Sequence, residues 1–283
     1  MAIETIAVIG AGTMGNGIAQ VCATSGYPVV MADIAQAQLD RGLKTIDGSL
    51  ERMRNKEKIT AADKTAALAR IHATTDMQLI KDCDLVIEAA TENVDLKLRI
   101  FAQIDATVKS SAVIASNTSS ISITRLAAAT KRPAQVIGMH FFNPVPVMAL
   151  VEVITGLQTS DQTRDTVNAV VARLGKAVVI VRNAPGFVVN RLLCPMLNEA
   201  CFVYGEGLAT AKEIDEAMKL GCNHPIGPLA LGDMVGLDVL LAVMNVLYDS
   251  YKDPKYRPAP LLVEMVEAGH IGRKAGRGFY TYS

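Results

Sequence analysis

Histidine is the side chain most readily tuned to exchange a proton near neutral pH, and the chain has four: His72, His140, His224 and His270. Their surroundings separate them. His72 falls at the end of a polar helical stretch, His224 in a Cys-Asn-His-Pro turn and His270 beside a glycine-rich tail, and none has an acidic residue placed to orient its ring. His140 instead ends an apolar run, Val136 to Met139, and Glu152 lies inside a second one, Leu150 to Ile154. The two residues are symmetric about Pro146. The connection is too short for a helical crossover, so the runs should be antiparallel neighbours or meet through a compact loop. In a hairpin, His140 and Glu152 face each other. A carboxylate on one ring nitrogen fixes the tautomer and stabilises the imidazolium that forms when the other nitrogen takes a proton. The bland alternative is a strand-end histidine satisfied by backbone and a surface glutamate. Other chemistries fit less well: the histidines and cysteines show no metal-ligand spacing, and the Ser119 segment has no G-x-S-x-G elbow.

A second constellation lies at residues 6 to 33. Ile3, Ile6, Val8 and Ile9 read as a buried strand, and Gly10, Gly12 and Gly15 follow in G-x-G-x-x-G spacing, with Ala11, Thr13 and Met14 between them. The first glycine permits a tight turn, the second lets backbone approach a pyrophosphate, and the third allows close packing of helix on strand. Helix formers from Asn16 to Ala23 place unsatisfied N–H groups where a phosphate is favoured. A second strand, Pro28 to Ala32, delivers Asp33 where an acid holds a ribose 2′-hydroxyl, and Ile34-Ala35-Gln36 supplies no cation for a 2′-phosphate, so the expected cofactor is NAD. Together the two constellations point to hydride transfer, with His140 exchanging the hydroxyl proton.

The elements that must position these groups are those of an α/β fold. After Asp33 the pattern is helical from Ala35 to Lys56 and, with Thr60 as N-cap, from Ala61 to Ile71; this αα excursion carries Arg52, Arg54, Lys56 and Lys58 near its tip, a solvated helix end or an anion site with equal warrant. Leu85 to Ile87, ended by Glu88, is the next strand; a helix from Val94 to Lys109 and a strand from Val113 to Ala115 follow. That strand opens into Ser-Asn-Thr-Ser-Ser at 116 to 120. Polar residues there line the crevice of such sheets, although capping is the expected role of Ser120 and Ser122. A helix from Asp161 to Leu174 and a strand from Ala177 to Val181 close the first domain, 1–183. From 184 to 283 only helices are expected: Val189 to Tyr204, Ala211 to Leu220, Pro228 to Asp249 and Pro260 to Glu267. The fold class is thus a Rossmann-type, doubly wound, mostly parallel sheet followed by an all-α domain.

Composition narrows the partners. The 28 basic and 28 acidic residues cancel, so no broad field attracts nucleic acid or anionic lipid. Five scattered cysteines without a C-x-x-C pair suit a reducing cytoplasm, and no export signal or uninterrupted apolar span is visible. The apolar helices of the second domain are expected to join two copies into a homodimer.

Gly-Ala-Gly-Thr-Met-Gly at 10 to 15, Ser-Asn-Thr-Ser-Ser at 116 to 120, His-Phe-Phe-Asn-Pro at 140 to 144, Glu152, and Asn-Ala-Pro-Gly-Phe with Asn190-Arg191 resemble the L-3-hydroxyacyl-CoA dehydrogenase family over nearly the whole chain. The short length is similar to its bacterial 3-hydroxybutyryl-CoA branch. The resemblance implies an acyl-CoA substrate, His140 as base with Glu152 as its partner, and Ser119 and Asn190 holding the substrate oxygens. It implies that Asp33, Glu92, Lys97, Asn117, Asn143 and Lys274 approach the dinucleotide, and that Ser49 and Lys56 meet the coenzyme A moiety. Two rivals keep the fold: a dehydrogenase of free 3-hydroxyacids, which needs neither Ser49 nor Lys56, and a non-catalytic member with a structural role.

Overall fold

The computed structural model of the protein describes residues 2–282. It forms two compact units, Met1–Asn183 and Ala184–Ser283. The first contains β1 (Ile6–Ile9), α1 (Thr13–Thr24), β2 (Val29–Ala32), α2 (Gln36–Asn55), α3 (Ala61–Ala69), β3 (Ile71–Thr74), β4 (Leu85–Glu88), α4 (Val94–Thr107), β5 (Val113–Ser116), α5 (Ile123–Ala127), β6 (Val136–Phe141), β7 (Leu150–Thr155), α6 (Asp161–Arg173) and β8 (Ala177–Arg182). The sheet runs β3-β2-β1-β4-β5-β6-β7-β8, with β1 to β6 parallel and β7 antiparallel to β6. Chain order reverses between β1 and β4, so the crevice above their carboxyl ends is the place where such sheets take ligands. Strands β1, β4 and β5 are buried along their whole length, which accounts for their continuous apolar sequence.

Two sequence expectations change here. The helix expected to reach Ile71 stops at Ala69, and Ile71–Thr74 is an edge strand paired with β2, so His72 lies on a strand rather than a helix. An edge strand has one neighbour, and none of these four residues is fully buried, so Ile-His-Ala-Thr lacks the apolar run that marks the inner strands. The excursion itself forms, and Thr60 closes α3 with a reciprocal capping box to Asp63.

The second unit contains α7 (Val189–Gly205), α8 (Ala211–Gly221), α9 (Pro228–Val235), α10 (Leu237–Tyr251) and α11 (Pro260–Glu267). Leu197, Leu229, Leu237, Leu240, Met244, Leu247 and Leu262 fill its core. The single helix expected from Pro228 to Asp249 is two, bent by 95° at Gly236, whose φ of +102° is open to glycine and strained for other residues. The remainder of the chain is fastened by two buried carboxylates: Asp233 accepts the N–H groups of Phe279 and Tyr280 and the hydroxyl of Tyr282, and Asp215 accepts the hydroxyl of Tyr280. No single helix among the described residues is long and apolar enough to cross a membrane.

Candidate active site

His140 lies at the penultimate position of β6 and Glu152 at the third of β7, and the antiparallel register pairs them directly. Nδ1 of His140 is 2.7 Å from Oε2 of Glu152, and both side chains are buried. A carboxylate only accepts hydrogen bonds, so this contact suits the tautomer that carries its ring proton on Nδ1. The ring of Phe142 lies 4.5 Å from that of His140, centroid to centroid. Next to this pair, Oδ1 of Asn117 accepts the N–H of Phe141, so Asn117 ties the end of β5 to the end of β6.

The glycine turn has the shape that a pyrophosphate needs. Gly10 has φ +99°, and a Cβ there would stand 2.8 Å from the carbonyl oxygen of Ala89; a Cβ on Gly15 would stand 1.8 Å from that of Gly10. Each glycine is therefore required by the close approach of β1, β4 and α1. At Gly12 nothing lies within 4 Å of the added carbon, so the backbone there faces open space, and no side chain caps the first N–H groups of α1. An anion fits that surface, and Thr13, Met14 and Gly15 supply the first turn behind it. Asp33 follows β2, where its carboxylate accepts the N–H of Ala11 at 2.8 Å and that of Ala35 at 3.1 Å. It thereby holds the glycine turn.

The turn bearing Ser119 is organised by Glu92. One carboxylate oxygen, Oε1, accepts the hydroxyl of Thr118 at 2.5 Å, the N–H of Ser119 at 3.0 Å, and both the N–H and the hydroxyl of Ser120 at 3.2 and 3.1 Å. Ser120 is thus not a helix cap; Ser122 is, accepting the N–H of Arg125. Behind Glu92, Lys97 is only 1% exposed, and its ammonium meets Oε1 of Glu88 at 2.6 Å, the carbonyl of Ala90 at 3.1 Å and Oε2 of Glu92 at 3.5 Å. Asn143 is exposed just beyond β6.

On α2, Ser49 and Lys56 are two turns apart and share a face, with Lys56 the exposed C-cap. Arg54 in the same cluster is already paired with Glu51, whereas Arg52, Lys56 and Lys58 form no ion pair among the described residues. In the second unit, Asn190 lies in the first turn of α7, and Lys274 donates to Asp238 at 2.7 Å. Burial pushes the thiols of Cys22, Cys194 and Cys201 up to about 12 and that of Cys83 to about 11, which makes them poor nucleophiles.

Glu88 and Asp233 are the polar residues that pattern reading passes over. The signal for Glu88 was present: it ends an otherwise apolar Leu-Val-Ile strand, and a buried acid there requires a partner such as Lys97, nine residues on. Asp233 carries no such signal, because its partners are backbone groups and phenols 46 to 49 residues away.

Comparison with known proteins gives the family. The sequence profile of the 3-hydroxyacyl-CoA dehydrogenase NAD-binding domain matches residues 5–184, and that of the family's C-terminal domain matches residues 186–282. The chain is 51% identical over 280 residues to a 3-hydroxybutyryl-CoA dehydrogenase of Bradyrhizobium diazoefficiens, covering 99% of this chain and 96% of the relative. It is 50% identical to one from Clostridioides difficile, over 98% of this chain and 99% of that one. The crystal structure of an (S)-3-hydroxybutyryl-CoA dehydrogenase from Ralstonia eutropha superposes with a TM-score of 0.97 at 63% identity, covering all of both chains. The paired histidine and glutamate, the dinucleotide turn and these matches along the whole length lead to one assignment: the chain belongs to the 3-hydroxyacyl-CoA dehydrogenase family and is an NAD-dependent oxidoreductase.

Proposed function

We propose that the protein interconverts a short-chain (S)-3-hydroxyacyl-CoA and its 3-ketoacyl-CoA, with 3-hydroxybutyryl-CoA and acetoacetyl-CoA as the preferred pair. The observation that carries the reading is the buried 2.7 Å contact between His140 and Glu152 in the same unit as the dinucleotide turn. NAD(H) accepts or supplies the hydride. In the oxidising direction Nε2 of His140 takes the proton of the 3-hydroxyl, and Glu152 stabilises the imidazolium; in the reducing direction the same nitrogen returns it. Ser119 and Asn190 hold the substrate oxygens. Asp33, the turn from Gly10 to Gly15, Glu92, Lys97, Asn117, Asn143 and Lys274 serve the dinucleotide, and Ser49 and Lys56 the coenzyme A. Lys97 does so from beneath the surface, through its charge and through Glu92. Two copies associate through the helical unit, where Leu192, Leu208 and Leu220 are each more than two-thirds exposed. The five free thiols fit a reducing cytoplasm.

The test is NADH oxidation with acetoacetyl-CoA, its C6 and C8 homologues, and free acetoacetate. The expected order of kcat/KM falls from C4 to C8, with free acetoacetate lowest by orders of magnitude. Turnover of the free acid as efficient as that of the thioester would assign the protein to hydroxyacids instead. No turnover of any of them would overturn this assignment of substrate.

A further inference from the structure

Glu88 closes β4 with a wholly buried side chain, and its partner Lys97 is almost as deeply buried. Such a pair is costly to maintain, because desolvation offsets much of the mutual attraction and apolar residues of the same volume pack as well. Its place in the fold gives it a use. Oε1 of Glu88 accepts from Lys97 Nζ at 2.6 Å and from the N–H of Ala90 at 2.7 Å, and Oε2 accepts the hydroxyl of Ser116 at 2.6 Å. The nitrogen of Ala90 would lie 3.2 Å from a Cβ on Gly10, so this contact reaches the glycine turn. Ser116 in turn accepts the N–H of Thr118 at 3.1 Å, at the root of the turn that carries Ser119. Lys97 continues the chain of contacts to Glu92, 3.5 Å away.

We infer that Glu88 is a positioning residue of the dinucleotide site: paired with Lys97 beneath the strand ends, it fixes the ammonium under Glu92, and it acts on the cofactor through that ammonium. This rests on the reading of Lys97 and Glu92 as dinucleotide residues. A Glu88 that served only the core would affect stability; one that acts through Lys97 affects NADH affinity and loses that effect when Lys97 is gone.

A double-mutant cycle on the full-length protein separates these, with the Kd of NADH read from nicotinamide fluorescence. Glu88→Gln and Lys97→Met are each expected to raise Kd about ten-fold, as loss of an orienting contact does. In the Lys97→Met background, Glu88→Gln should add less than about two-fold. With acetoacetyl-CoA, the loss should appear in the KM of NADH and not in kcat. If the isosteric Glu88→Gln fails to fold, Glu88→Leu combined with Lys97→Met removes both buried charges, and its Kd should match that of Lys97→Met alone. Fully additive effects, or a fall in kcat at unchanged Kd, would overturn the inference. An unchanged Kd in Lys97→Met would overturn it too, by removing Lys97 from the dinucleotide site, while normal turnover of acetoacetyl-CoA would leave the proposed function standing.

Discussion

Lys56→Ala tests what the excursion between β2 and β3 is for. A crossover needs only about a dozen residues, yet this one spends α2 and α3, and it leaves Lys56 exposed at the end of α2 on the face of Ser49. Coenzyme A carries a 3′-phosphate and a pyrophosphate, for which an ammonium at a helix end is a charge-assisted donor. Solvent screening limits an exposed contact of this kind to about 1 kcal/mol or less, and a tenfold change in affinity takes about 1.4 kcal/mol. The KM for acetoacetyl-CoA should therefore rise about two- to five-fold, with a weaker dependence on salt, while kcat and the KM of NADH stay as they were. Arg54 supplies the internal control: Glu51 already neutralises it, so Arg54→Ala should change KM less. Initial rates at saturating NADH, from about 20 to 300 mM NaCl, bracket the screening range. Loss of turnover at saturating substrate would refute the reasoning and make the excursion a lid that completes the site. Equal effects of Lys56→Ala and Arg54→Ala would refute it as well, because the pairing of Arg54 would then be irrelevant.

Three further outcomes follow from the geometry. Asp33→Ser should reduce the preference for NADH over NADPH and also weaken NADH binding, because the carboxylate that repels a 2′-phosphate braces Ala11; NADPH used as efficiently as NADH by the unmodified enzyme would contradict this. For Asp84, burial acts to raise the pKa, but the Lys109 ammonium and the N–H groups of Thr5 and Glu4 outweigh it and hold the carboxyl at about 2, below its ordinary 3.8. Because the folded value is the lower one, its stabilisation is complete above about pH 4 and is lost as pH falls toward 2, so Asp84→Asn should flatten the Tm profile between those values; an unchanged slope would remove Asp84 from acid unfolding. Sedimentation at micromolar concentration should give a dimer that Leu220→Asp or Leu192→Asp weakens, and a stable monomer would exclude association through the helical unit.

The elements that carry the candidate site were legible where their signals are local. The turn from Gly10 to Gly15 and Asp33 lie within one strand–helix–strand unit, and His140 and Glu152 are symmetric about one proline, which pairs them once the two runs form the antiparallel hairpin. What escaped depends on long-range pairing. Strand β3 was hidden because an edge strand tolerates His72 and Thr74. The break at Gly236 was hidden because apolar residues on both sides continue the helical pattern, and only the backbone shows the turn. Ser120 passed for a cap because a hydroxyl near a helix start satisfies that pattern; its actual acceptor, Glu92, lies 28 residues earlier. Lys97 matched a dinucleotide position by sequence, but the depth of its ammonium and its pairing with Glu88 depend on how β4 and α4 pack.

The most direct test of the central claim is the turnover of His140→Asn, with NADH binding measured on the same protein. Asparagine keeps a polar side chain beside Glu152 but cannot exchange the proton. Acetoacetyl-CoA reduction, followed by NADH absorbance, should fall by about 10²- to 10⁴-fold, while the Kd of NADH stays within about two-fold of the unmodified enzyme because the Asp33 carboxylate that braces Ala11 in the glycine turn is left in place. Near-normal turnover in this variant would place the proton transfer on another group and contradict the assignment of the His140–Glu152 pair as the acid–base centre.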